Sequence, residues 1–209
     1  MGRALVGLVC VLTVVGLGSC GGGGGGGGGP MTVTLISQAG LDGYCTDTRI
    51  LNTAGMLQVG DRDQWLAGAN MRSFVSFSMA PIPVGATINA ATLRCFQGAA
   101  TGTPYLDLSH IVVDYVDYGT SLDNDEYGLT PIVVDMGTLS VNDTQEWKTV
   151  DVTNAVGDAV TAAQPRCQFR LRFVFETLDD GQNDWAEFES SDNTLGTGNR
   201  PELVVTYTP

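Results

Sequence analysis

From Pro30 onward the chain consists of short runs in which apolar and polar residues alternate, separated by clusters of Gly, Pro, Asn, Asp and Ser. In the run from Cys167 to Glu176, Cys167, Phe169, Leu171, Phe173 and Phe175 share one side of an extended chain, and Gln168, Arg170, Arg172 and Glu176 share the other. Successive side chains of a strand point to opposite faces, so this pattern predicts a half-buried β-strand. Arg72–Met79 and Thr87–Gln97 alternate likewise. The same reading predicts strands at Thr32–Ser37, Met56–Val59, Tyr105–Tyr118, Ile132–Asp135, Trp147–Val152, Asp184–Ser190 and Glu202–Thr206. Prolines fall at the edges of runs or in the turn Ala80-Pro-Ile-Pro-Val-Gly-Ala86, where a missing N–H does no harm. Only Asn154–Ala163 has the Ala-rich look of a short helix, with Thr153 as its N-cap. The fold class is therefore all-β: an antiparallel β-sandwich with one short helix, one domain over residues 31–209. Trp147 and Trp185 lie inside strand patterns and are expected in the core.

The N-terminus follows another pattern. Arg3 precedes an apolar run, Ala4–Gly18, that is shorter than the roughly 20 residues of a membrane span. It ends in small residues before Cys20, the layout of a secretory signal peptide. Leu17-Gly-Ser-Cys20 resembles a bacterial lipobox, so residues 1–19 read as a lipoprotein signal peptide and Cys20 as the lipidated first residue of the exported chain. Nine glycines and Pro30 follow, making residues 20–30 a tether. Glycine has the most backbone freedom to lose on ordering, and such a linker spans about 15–18 Å. The expected location is the bacterial outer membrane or cell surface, with the membrane touched only through the lipid.

Charge narrows the partners. Downstream of Arg3 there are nine basic and 23 acidic residues, so the exported chain carries a net charge of 9 − 23 = −14. Such a surface repels phosphate backbones and excludes nucleic acid as a natural partner. It also disfavours polyanionic glycans unless a divalent cation bridges them. Cys45, Cys95 and Cys167 allow three possible single disulfides, and for Cys95 and Cys167, at apolar positions of alternating strands, a buried thiol is an adequate explanation.

The run "RSFVSFSMAPIPVGATINAATLRCF" resembles the signature of the disaggregatase-related DNRLRE domain, also classed as carbohydrate-binding module family 96. "VDVTNAV" resembles a later segment of that family, and "QFRLRF…DDGQNDWAEFESSDN…NRPELVVTY" its C-terminal strands. The resemblance spans most of Thr48 to Tyr207. It implies a sandwich of jelly-roll type, an accessory or surface role, and a polysaccharide ligand, acidic polysaccharides such as alginate among them.

Several residues carry the chemistry such a module needs. Asp61, Asp63 and Trp65 in "VGDRDQWLAG" read as a short loop in which an indole packs on a sugar ring and carboxylates accept hydroxyl hydrogen bonds. Tyr118 and Tyr127 flank the acidic run "DYGTSLDNDEYG" as sugar-stacking aromatics would. Asp179, Asp180 and Asp184 cluster hard oxygen donors on one loop, as a structural Ca²⁺ requires. Catalysis has little support. The single histidine, His110, sits in a strand pattern and reads as structural. Glu187 and Glu189 would share a sheet face about 6.6 Å apart, the spacing of an inverting glycosidase pair, but any acidic β-protein supplies such pairs. The expected function is non-catalytic polysaccharide binding for attachment. The alternative is a structural, self-associating envelope or extracellular protein in which "MTVTLISQ" pairs with another sheet edge.

Overall fold

A computed structural model describes residues 28–62, 69–176, 180–193 and 197–209. Twelve strands form an antiparallel sandwich. In one layer β1 (Met31–Ile36) pairs with β12 (Glu202–Thr208), β12 with β6 (Thr87–Thr101), and β6 with β9 (Trp147–Asp151). In the other, β4 (Leu57–Arg62), β5 (Ala69–Ser78), β10 (Arg166–Phe173), β7 (Ile111–Val116) and β8 (Thr138–Ser140) follow in order. Two short strands, β2 (Gly43–Thr46) and β3 (Leu51–Asn52), add to β5. The layers are continuous through β6. Its first part pairs with β12 and β9, while its last part, from Gln97 to Thr101, pairs with β11 (Asn183–Phe188), which in turn pairs with β4.

The alternation read from the sequence explains the core. Val75 and Phe77 of β5, Phe169, Leu171 and Phe173 of β10, Leu93 of β6 and Leu203 and Val205 of β12 point between the layers and are almost wholly buried. Each such side chain contributes roughly 1.5–3 kcal/mol relative to an exposed one. Helix α2 (Thr153–Thr161) closes one end by setting Ala155, Val156, Ala159 and Val160, a single helical face, on the same core. A four-residue turn, α1 (Pro104–Asp107), is the only other α-helix among the described residues.

The elements differ from expectation at definite places. Tyr105–Tyr118 is not one strand: Pro104 starts a helical turn, and Ser109 adopts a positive φ of 77° before β7 begins. Ile132–Asp135 is irregular: its one β-bridge to β7 among the described residues is Val133–Tyr115, and Asp135 sits at φ 51°. Thr153 is the first helical residue rather than the cap. Its hydroxyl accepts from Ala91 N–H (2.9 Å) and donates to Asp151 (2.6 Å), tying the helix start to β6. β10 ends at Phe173, and Phe175 lies beyond it, exposed. Cys45, Cys95 and Cys167 are free and buried, and burial pushes the Cys45 thiol up to about 12.

The middle of the polar face of β10 does not meet water. Gln168 and Arg170 are buried beneath residues 117–129, which lie over the outer face of the second layer. There Leu41, Cys45, Phe74, Val116, Tyr118 and Leu122 form a second apolar cluster. The charges on this face are paired in place. Asp114 Oδ2 accepts from Arg170 Nε (3.0 Å) and Nη2 (2.7 Å) and from Arg172 Nε (2.9 Å), while Oδ1 accepts from the Asp135 amide (2.9 Å). Burial alone would raise the Asp114 carboxyl; the bonds from Arg172, Asp135 and Arg170 outweigh it and hold the group below its ordinary value. Arg170 Nη1 also donates to the Leu129 carbonyl (2.7 Å), and Arg72 pairs with Glu176 (2.6 and 2.8 Å) while donating to the Tyr127 carbonyl (2.6 Å).

A second buried carboxyl, Asp42, joins the layers at another point. It accepts from the Ser37 hydroxyl (2.5 Å), the Ser191 hydroxyl and the Ser76 amide (3.2 Å). Burial pushes its pKa up to about 6, the hydrogen bonds opposing.

Two outcomes follow from these carboxyls. Asp114→Ala leaves Arg170 buried without its partner and is expected to cost about 3–5 kcal/mol in urea denaturation; a loss under about 1 kcal/mol would show that the network is dispensable. Asp42 binds its proton more tightly in the folded chain, at about 6, than at the ordinary 3.8. Its contribution to stability therefore rises as pH falls through that window, by on the order of 3 kcal/mol. This component of the pH profile is expected to vanish in Asp42→Asn, and identical wild-type and variant profiles would refute it.

Candidate functional site

On β11 the inward positions are Asp184, Ala186 and Phe188, leaving Asn183, Trp185 and Glu187 half-buried on the outer face. β4 lies alongside with Gln58 opposite Glu187, Gly60 opposite Trp185 and Arg62 opposite Asn183. Gly60 has φ +133°, and a Cβ there would fall 2.1 Å from the Asp184 carbonyl oxygen, so the two backbones approach at a distance only glycine allows.

Around this junction the side chains form one connected patch. The Arg62 guanidinium lies 4.9 Å from the Trp185 ring centroid and 6.0 Å from that of Tyr44. Its Nη2 donates to Gln58 Oε1, while Gln58 Nε2 donates to Glu187 Oε1 (2.9 Å), which also receives Trp185 Nε1 (3.4 Å). Asn52 donates to the Tyr44 hydroxyl (3.4 Å). Arg62 Nε is buried and meets no acceptor among the described residues. The patch sets a partly exposed indole beside an amide, a carboxylate and a guanidinium, all held on strands. A sugar ring offers complementary features: an apolar C–H face for the indole and a rim of hydroxyls for the polar groups.

The residues singled out from sequence fall elsewhere or are already engaged. Asp61 and Arg62 end strand β4 instead of forming a loop. Asp61 is 1% exposed and accepts from the Asp184 amide (3.1 Å), so it is held inside rather than displayed. Tyr118 is 7% exposed, packed edge-on against Phe74, and donates to the Leu41 carbonyl (2.8 Å). Tyr127 lies under Arg72 (4.2 Å) and donates to Glu176 (3.0 Å). Both tyrosines therefore anchor residues 117–129 to the sheet. Asp184 is buried, with Oδ1 accepting from the Thr103 amide, whereas Asp180 is exposed and accepts from the Gln182 amide (2.8 Å). Cys20, Asp63, Trp65 and Asp179 lie outside the described residues. Among the described residues no group of three or more His, Cys, Asp or Glu side chains is placed to hold a metal ion.

Glu187 and Glu189 do not form a matched pair. Glu189 follows the end of β11, is buried, and takes hydrogen bonds from Asn193 and Thr197. His110 is half-buried, with Nδ1 on the neighbouring Ser109 hydroxyl (2.9 Å).

Neither described tryptophan is in the core. Trp147 lies on the outer face of the first layer, edge-on to Phe96 (5.7 Å) and under Arg94 (4.6 Å), which pairs with Glu202 (2.7 Å). The sequence held a signal for Trp185: strict alternation in Asp-Trp-Ala-Glu-Phe puts Trp185 with Glu187 and opposite Ala186 and Phe188. It held none for Tyr44 and Asn52, which reach the patch on two strands too short to show a period.

An antiparallel sandwich that offers an aromatic and polar patch on a rigid sheet face has the architecture of a carbohydrate-binding module. Residues 47–207 match the model of carbohydrate-binding module family 96, and the chain belongs to that family. A comparison with curated proteins finds no match.

Proposed function

We propose that this protein is a non-catalytic surface lipoprotein that attaches to polysaccharide through the Trp185 face. The observation that carries the reading is the half-exposed Trp185 ring beside Arg62, Gln58 and Glu187, in a chain that belongs to a carbohydrate-binding family. Strand-borne groups need little ordering on contact, so less of the interaction is lost to entropy. The acid excess bears on which glycan fits. A neutral polysaccharide meets no repulsion, whereas an acidic one requires Arg62 or a bridging Ca²⁺, for which Asp179 and Asp180 offer oxygen donors. Cys20 supplies the lipid and the glycines the reach, so ligand and membrane are linked across one short leash.

A glycan array probed with the exported chain, with Ca²⁺ and with chelator, is expected to show a defined set of polysaccharides. Trp185→Ala should weaken that binding by about tenfold or more, while Trp147→Ala leaves it within about twofold. Equal binding by wild type and Trp185→Ala would displace the site, and silence across the array would remove the function. Chelator sensitivity would place the cation in the complex. Separately, Cys20→Ser is expected to move the protein from the membrane to the soluble fraction after export. Retention of this variant in the membrane would disprove the lipid anchor.

A further inference from the structure

Strand β1 ends the first layer, and among the described residues nothing pairs with its outer side. The direction of its backbone groups is set by two bonds. Ser37 N–H donates inward to the Pro201 carbonyl (3.0 Å), and Gln38 N–H donates away from β12, to the Ser76 carbonyl (2.9 Å). In an antiparallel ladder a residue turns both its N–H and its C=O to the same side, and successive residues alternate. Met31, Val33 and Leu35 therefore bond β12, in register with Tyr207, Val205 and Leu203, whereas Thr32, Thr34 and Ile36 direct their N–H and C=O to the open edge.

An open edge is a template for another strand, and proteins usually block it with a charge, a proline or a bulge. β1 has none of these. Residues 31–38, Met-Thr-Val-Thr-Leu-Ile-Ser-Gln, carry no charge, in a chain whose formal net charge is −13. Two copies approaching by most other faces repel each other, and this edge is a stretch where they do not. The strand also matches itself. Placed antiparallel about Thr34, it sets Thr34 against Thr34, Thr32 against Ile36 and Val33 against Leu35. The residues with outward-directed backbone groups then face one another, each pair able to exchange both N–H···O bonds. Val33, half-buried, and Leu35, 6% exposed, would extend the apolar inner face across the seam. Pro30, lacking an N–H, and the Gln38 bond to Ser76 bound the pairing at its two ends.

We propose that β1 is the interface for a second copy of this chain, a two-fold antiparallel pairing centred on Thr34 that joins the two β1–β12–β6–β9 layers into one sheet. The test is analytical ultracentrifugation of the full chain over a concentration series, with Thr34 replaced by either charge. Wild type is expected to move from monomer to dimer. Thr34→Lys and Thr34→Glu each set like charges face to face and are expected to stay monomeric at concentrations where wild type is mostly dimer. An equimolar mixture of the two variants sets Lys against Glu and should restore the dimer, which also shows that both variants are folded. A wild-type monomer at every concentration, as when the chain's own N-terminal residues cover the edge, would overturn the proposal. So would single variants that dimerise like wild type, or a mixture that stays monomeric.

Discussion

The structure depends on one carboxylate being shared by two guanidinium groups. Asp114 on β7, itself out of reach of water, stands against Arg170 and Arg172 of the neighbouring β10. Without that carboxylate Arg170 would lie buried beneath residues 117–129 with no anion beside it. The arrangement does not owe its stability to the ion pairs themselves, because the desolvation of buried charges roughly offsets their attraction. Net stability comes from the inner core and from the small apolar cluster of Phe74, Tyr118 and Leu122 that the covering segment completes. The charged network decides position. Arg170 and Arg72 use their remaining N–H groups on the carbonyls of Leu129 and Tyr127, which sets where that segment comes to rest.

Much of the sandwich could be read from the chain because a half-buried strand records its two faces every second residue. Phe169, Leu171 and Phe173 needed nothing more. That pattern says which residues are opposite the core but not what covers them, so Gln168 and Arg170 read as solvent-facing until residues 117–129 are placed over them. Those residues have no period to betray that role, since Tyr118, Leu122, Tyr127 and Leu129 are spaced as the loop path requires. Tyr118 and Tyr127 accordingly look like ligand-stacking aromatics in sequence and act as anchors in the fold. The candidate site was harder still. It is assembled from β2, β3, β4 and β11, and only the last carries a periodic signal strong enough to place its tryptophan.

The two described tryptophans illustrate how one local motif serves the two layers. Each lies on an outer face with an arginine over its ring, but the arginines differ in what else they hold. Arg94 is tied to Glu202, whereas Arg62 leans on the neutral Gln58 and keeps its Nε without an acceptor among the described residues. A guanidinium already paired with a carboxylate has its charge answered; one that among the described residues meets only a neutral amide keeps its charge for a ligand to meet. That difference, more than the indoles, separates the Trp185 face from the Trp147 face.

The chain enters the domain along β1 and leaves along β12, and these two strands pair over the whole length from Met31–Tyr207 to Ile36–Glu202. A pull on Pro30 directed along β1 therefore acts parallel to the strand and across its hydrogen bonds, so the paired residues share the load together instead of parting one after another. A load carried along β1 in that direction is met in shear by the whole β1–β12 ladder.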